Sequence, residues 1–211
     1  DPSTTQLVSI SLCAFNVEGL RQKLEDQEFI SFLVSFDIVC LTETFIDYAL
    51  ESLLFKDYSV YTAKARKLMP HANRPSGGVI MLVKNIYSEF VCNVDVLFDN
   101  MIVLEADERL FGHGKKTYLI GVYIPPCESR SYDVTENGYG MEPLEQCILD
   151  LHERCSDFNM IMMGDFNGRT GCQNGLVNFN ADDNDADNAD DCYERKSKDS
   201  VVNTFGQQLL E

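Results

Sequence analysis

Six short apolar stretches, each closed by turn-forming residues, constrain this chain more than any other feature. Leu7–Phe15 alternates apolar and polar residues as a half-buried strand does. Ile38–Leu41, Gly78–Val83, Met101–Glu105, Tyr118–Ile124 and Met160–Met163 are compact apolar runs of strand length. None approaches the roughly 18 apolar residues that a membrane span needs. Two helices are expected between the strands. One covers about residues 20–35. The other covers 143–155, where Leu144, Cys147, Ile148, Leu151 and Cys155 form one stripe and Pro143 suits the first turn. A third helix is expected to begin near Asn203, with Phe205, Leu209 and Leu210 as its apolar side. Strands interleaved with helices predict an α/β chain. At 211 residues it can build one core without disulfide or metal staples.

The charge is lopsided: 17 Lys and Arg against 34 Asp and Glu, a net −17. Such a balance argues against holding nucleic acid by bulk electrostatics, because counterion release needs surface cations. The distribution is uneven. Six Asp lie between Asp182 and Asp191, within an Asn-, Asp- and Gly-rich stretch at 171–200 that reads as a long acidic surface loop. The ligand spacing and central Gly of an EF-hand are absent from it. Tyr58–Ser88 contains no acid and carries Lys64, Arg66, Lys67, Arg74 and Lys84, a candidate contact for an anionic ligand or a plain solvated loop. The eight Cys show no CxxC pair, and Cys13, Cys40 and Cys147 sit among apolar residues. They read as reduced core residues of an intracellular protein. No convincing nuclear-localisation cluster separates nucleus from cytoplasm.

The chemistry sits where the strands stop. The first ends in Asn16-Val-Glu18-Gly, the second in Thr-Glu43-Thr. The Tyr118–Ile124 strand carries Tyr123 and ends in Pro-Pro, and the last ends in Gly-Asp165-Phe-Asn167-Gly-Arg169. Any one of these is an ordinary strand-end or turn residue. If the ends lie side by side, however, Glu18, Glu43 and Asp165 converge. Like charges that close raise one another's pKa. A hard cation such as Mg²⁺ relieves that conflict, binding one or two carboxylates plus water and phosphate oxygens.

The order Ser11-Leu-Cys-Ala-Phe-Asn16-Val-Glu18, Asp37-Ile-Val-Cys-Leu-Thr-Glu43-Thr, Ser76-Gly-Gly-Val, Val122-Tyr123-Ile-Pro-Pro and Gly164-Asp165-Phe-Asn167-Gly-Arg169-Thr-Gly resembles the endonuclease/exonuclease/phosphatase superfamily, with the DNase I-like fold. It is most similar to the endonuclease domains of non-LTR retrotransposons, relatives of apurinic/apyrimidinic endonucleases. The stretch Lys198–Leu210 also looks like the segment after Gly-Asp-Phe-Asn in those domains. The resemblance covers essentially the whole chain. It implies a four-layer α/β/β/α sandwich of two mainly antiparallel sheets and metal-dependent phosphodiester cleavage. Carried over, Glu43 is the main Mg²⁺ ligand (Mn²⁺ being an alternative), Glu18 an outer-shell acid, and Asn16 orients phosphate or metal-bound water. Tyr123 bonds a phosphate oxygen, Asp165 directs the attacking water and Asn167 donates to the scissile phosphate. Lys64, Arg66, Lys67, Arg74 and Arg169 are the substrate-contacting cations.

The superfamily normally closes with Ser-Asp-His, and His71, His113 and His152 lack that context. The expectation is therefore a single domain over 1–211, incomplete at its C-terminus and lacking its final strands, with much reduced activity. The partner implied is DNA, held weakly and salt-dependently, with a reverse transcriptase domain in the parent polypeptide and no membrane. A phosphatase or phosphodiesterase of the same fold, or a non-catalytic remnant, are the alternatives.

Overall fold

The computed structural model describes residues 9–48, 55–96, 98–133, 138–171 and 199–210. The acidic 171–200 stretch therefore falls almost wholly outside the described residues. Contacts divide the chain into two units, Asp1–Phe166 and Asn167–Glu211.

Among its described residues the first unit holds eight strands in two four-stranded sheets. The first sheet has the order β1-β2-β4-β3, built from β1 (Leu12–Asn16), β2 (Ile38–Thr42), β3 (Tyr58–Ala63) and β4 (Val79–Lys84). The second runs β5-β6-β7-β8, from β5 (Val91–Val94), β6 (Met101–Ala106), β7 (Thr117–Tyr123) and β8 (Asn159–Asp165). Each sheet has two antiparallel pairings and one parallel: β1 with β2, and β7 with β8. The parallel pairs require crossovers. Helices α1 (Leu20–Lys23) and α2 (Gln27–Leu33) supply one, and α4 (Glu142–Arg154) supplies the other. A short α3 (Glu108–Phe111) links β6 to β7.

Strand alternation builds the layers. Ile38, Cys40, Met81 and Val83 point inward and share a buried cluster with Leu104, Leu119 and Met163 of the second sheet. Val39, Leu41, Ile80 and Leu82 point outward and are covered by Leu20, Leu33 and the ring of Phe29. On the second sheet, Tyr118 meets the Phe158 ring at 4.9 Å, and Phe158 meets His152 of α4 at 4.7 Å. Leu144, Cys147 and Leu151 are the buried stripe of that helix. The result is the expected α/β/β/α sandwich.

Three details differ from the sequence reading. The helix expected over 20–35 is two helices, because the Asp26 carboxylate accepts the amides of Glu28 and Phe29 at 2.9 and 3.2 Å and starts a new one. Strands β3 and β5 went unpredicted: Tyr58–Ala63 mixes hydroxyls with its apolar residues, and β5 is a short edge strand with two exposed residues. The strand expected from Leu7 is described only as Leu12–Asn16.

No helix among the described residues is long and apolar enough to cross a membrane. Buried among the apolar side chains, the Cys40 thiol has its pKa pushed up to about 12.

The second unit is organised by Asn203. Its backbone N–H donates to the Arg169 carbonyl at 2.9 Å, and its Oδ1 accepts from the Arg169 and Gly206 amides at 2.8 and 2.7 Å. Its Nδ2 donates to the Asn167 carbonyl at 2.8 Å. The same side chain thus caps α5 (Thr204–Gln208), the helix expected near Asn203.

Packing and pairing can each be tested. A Cβ at Gly121 would stand 2.7 Å from Met81 Sδ and 3.1 Å from Cys40 Sγ, so glycine sets how closely the sheets approach. Gly121→Ala is expected to cost about 1–3 kcal/mol in urea denaturation. The loss should shrink in a Met81→Val background; an undiminished loss there would refute the contact. At the other end of β2, Asp37 accepts the Ser11 amide and hydroxyl at 2.8 and 2.6 Å and Lys84 Nζ at 2.8 Å. Burial alone would raise the Asp37 pKa, but these donors override it and hold the carboxyl below the ordinary carboxylate value. Its stabilisation is present above the unfolded value of 3.8 and lost as pH falls through the folded one. Asp37→Asn should therefore cost about 1.5–3 kcal/mol at neutral pH. The gap to the unaltered chain should close in acid; a gap independent of pH would exclude this pairing as its source.

Candidate active site

Parallel pairing is what gathers the polar strand ends. Parallel partners stop at the same edge of a sheet, so their C-terminal residues emerge together. Asn16 is opposite Thr42, the residue before Glu43, and Tyr123 is opposite Asp165. Strands β1 and β8 approach each other across the sandwich.

Asn16 joins the two sheets. Its Nδ2 donates one proton to Glu43 Oε1 at 3.1 Å and the other to Asp165 Oδ2 at 2.7 Å. Its Oδ1 accepts the Glu18 amide at 3.0 Å, which fixes which way the carboxamide faces. The Tyr123 phenol faces the Glu43 carboxylate. Tyr123 is buried, and that burial, followed by Glu43 and by Asp165, drives its phenol well above the usual value. The phenol therefore stays a neutral donor at any physiological pH.

The turns that present these groups are backbone-strained. Glu18, Glu43 and Phe45 occupy the left-handed region with φ of 46°, 51° and 55°. Such residues cost of order 1–3 kcal/mol each and gather where function requires them. The two turns run alongside one another: Gly19 and Leu20 amides donate to the Glu43 and Thr44 carbonyls at 2.8 and 3.0 Å. On either side of Glu43, the hydroxyls of Thr42 and Thr44 are buried without a hydrogen-bond partner.

Asn16, Glu43, Tyr123 and Asp165 thus come together as the sequence suggested. Glu18 does not complete an acid trio. Its side chain is exposed while its backbone serves Asn16, and among the described residues no three of His, Cys, Asp and Glu gather around a metal-sized space. A pair of carboxylates bridged by an amide replaces the expected cluster, since the amide protons ease the like-charge repulsion that a third acid would deepen. An all-oxygen set of two carboxylates with buried hydroxyls beside one of them is what Mg²⁺ accepts, as it commonly binds through one or two carboxylates and keeps its remaining positions for water and phosphate.

Lys64, Arg66, Lys67 and Arg74 are all exposed. Arg66 pairs with Asp99 at 2.6 Å. Lys64 lines a cleft of about 450 Å³ together with Asn93, Asp95 and Phe98. Arg74 lies with its guanidinium 4.3 Å from the centre of the Phe45 ring, two residues beyond Glu43. Phe45 was missed in the sequence. The one signal available was an aromatic side chain directly after Thr-Glu-Thr. Asn167 and Arg169 lie in the second unit. Asn167 has φ 46°, and Arg169 is bidentate to Asp199 at 2.8 and 3.0 Å. His71 and His113 are exposed loop residues, and His152 packs on Phe158.

No protein-family model and no curated protein sequence matches the chain. Solved structures do. An AP endonuclease from Leishmania major superposes with TM-score 0.50 at 14% identity, covering 76% of this chain and 55% of that one. An AP endonuclease from Archaeoglobus fulgidus gives 0.46 at 17%, covering 77% and 59%. TDP2 from C. elegans gives 0.47 at 17%, covering 76% and 48%. The chain therefore spans between about half and three-fifths of these neighbours' lengths. The fold is the DNase I-like α/β sandwich.

The amide bridge yields a prediction. Asn16→Asp places a third carboxyl between two others, so one of the three must hold a proton in the folded state. The folded chain then binds protons more tightly than the unfolded chain, and stability falls as pH rises. In the presence of a chelator the variant should lose about 1–3 kcal/mol more at pH 7 than at about pH 4.5 by thermal denaturation. Equal losses at the two pH values would show that position 16 does not sit between the carboxylates.

Proposed function

We propose that the chain is a metal-dependent phosphodiester hydrolase that nicks DNA, of the type found in non-LTR retrotransposon endonuclease domains. The observation that carries this reading is the Asn16 carboxamide donating at once to Glu43 and Asp165, with Tyr123 facing the same Glu43. That arrangement supports one carboxylate as the cation ligand, the other as the proton acceptor and the phenol as a neutral donor.

Phosphoryl transfer asks for an in-line nucleophile and neutralisation of the phosphate oxygens. Glu43 is the residue to hold Mg²⁺ or Mn²⁺, with Asp165 beside it. When bound, the ion supplies Lewis acidity and charge neutralisation. Asp165 orients water and takes its proton as the new P–O bond forms and the bond to the leaving oxygen breaks. Asn16 spends both N–H groups holding Glu43 and Asp165 in place, and Tyr123 supplies a neutral phenol dipole beside them for a phosphate oxygen. Arg74, stacked on Phe45, is held against the Glu43 turn and suits a flanking phosphate. The retrotransposon type is supported by Arg169–Gly171 and Asn203–Leu210, two stretches of that resemblance which Asn203 ties together. The roles given to Asn167 and Arg169 belong to the same proposal. A net charge of −17 calls for weak binding that fades steeply with salt.

Supercoiled plasmid is the test substrate. Nicking should require Mg²⁺ or Mn²⁺, stop with chelator, and fall about 10²–10⁴-fold in Glu43→Ala and Asp165→Asn. Mn²⁺ binding followed by electron paramagnetic resonance should be lost in Glu43→Ala. Nicking that survives chelator or Glu43→Ala would overturn the proposal. Cleavage of phosphomonoesters or inositol phosphates but not plasmid would move the function to a phosphatase of the same fold.

A further inference from the structure

We infer that Asn100 is a positioning residue that sets Tyr123 against Glu43 by tying together the two sheets that carry them. The inference rests on the functional reading above and concerns how its site is held. Asn100 immediately precedes β6 and occupies φ 57°, a conformation Asn tolerates better than most residues. Its carbonyl accepts the Tyr123 amide at 2.9 Å, so it fixes the end of β7 from which the phenol projects. Its side chain reaches the other sheet. There Oδ1 accepts the Gly78 amide at 2.8 Å.

From Gly78 the connection runs to the carboxylate. The Gly78 carbonyl accepts the Thr44 amide at 3.2 Å, and the Gly77 carbonyl accepts the Phe45 amide at 3.1 Å. These are the residues that close the strained Glu43 turn. One side chain and three hydrogen bonds thus lead from the Tyr123 backbone to the residue beside Glu43. The loop is shaped around this contact: a Cβ on Gly77 would lie 2.2 Å from Asn100 Oδ1, and one on Gly78 would lie 2.6 Å from Thr44 Oγ1. The neighbouring Asp99 reinforces the grip, pairing with Arg66 at 2.6 Å, and Arg66 exchanges backbone hydrogen bonds with Ser76 at 3.0 and 2.7 Å. A residue serving only the turn into β6 would need the backbone angle alone. The acceptor contact 22 residues away on the other sheet is what assigns Asn100 to the site.

Two substitutions separate angle from acceptor. Asn100→Gly keeps the backbone angle and removes Oδ1, whereas Asn100→Asp keeps both. Two readouts are taken: kcat and KM for plasmid nicking, and the ¹⁹F resonance of 3-fluorotyrosine placed at position 123 in metal-free protein. Asn100→Gly should lower kcat about 10–100-fold with KM changed less than about twofold, the scale expected when reacting groups shift by about an ångström. Its ¹⁹F resonance should move. Asn100→Asp should keep the resonance near its original position. An unmoved resonance in Asn100→Gly, or an unchanged kcat where the parent chain nicks DNA, overturns the inference. A parent chain without nicking but with the expected ¹⁹F pattern would sink the functional reading and leave the positioning role standing.

Discussion

One carboxamide decides whether this site can exist. Glu43 ends a strand of one sheet and Asp165 ends a strand of the other, and nothing in either sheet alone brings two carboxylates together. The Asn16 NH₂ group spans them, giving one proton to each. A lysine in its place would neutralise a charge outright, and an acid would add one. The amide gives each carboxylate a proton to accept and adds no charge of its own. Its orientation is not left to chance, since the Glu18 amide occupies its oxygen.

The topology works toward the same end. Both sheets are mostly antiparallel, yet each keeps one parallel pair, and those pairs deliver all four polar strand ends of the candidate site. An antiparallel partner would have ended at the opposite edge. The apolar packing between the sheets then fixes their separation, with Gly121 admitting the Met81 thioether where any larger residue would hold the layers apart. Strain is concentrated in the turns holding Glu18, Glu43 and Phe45. It is borne by the buried strands behind them, among them the fully buried β2.

Much of this was legible in the sequence because burial and chemistry leave local marks. The apolar runs of β2, β4, β6 and β7 declared themselves, as did the stripe of α4 and the helix beginning near Asn203. Asn16, Glu43, Tyr123 and Asp165 stood out as candidates because each lies at or just beyond the end of an apolar run. The features that escaped had no local signature. Strand β5 is an edge, so half its residues face solvent and its apolar pattern is thin. The break at Asp26 turned on a side chain competing for backbone amides within an otherwise helical pattern. The expected convergence of Glu18 failed because spacing in sequence cannot show that a left-handed turn offers its backbone inward and its side chain to water. Asn100 and Phe45 matter through contacts made far along the chain, and their own neighbours give no hint of it.

The small second unit bears on chain closure. Arg169 with Asp199, and Thr170 with Val202, fasten together two points separated by some thirty positions. Closing a flexible span between two such points costs entropy that grows slowly, by only about 0.6 kcal/mol for each doubling of length. The entropic cost of holding those two points together thus depends only weakly on how many residues separate them.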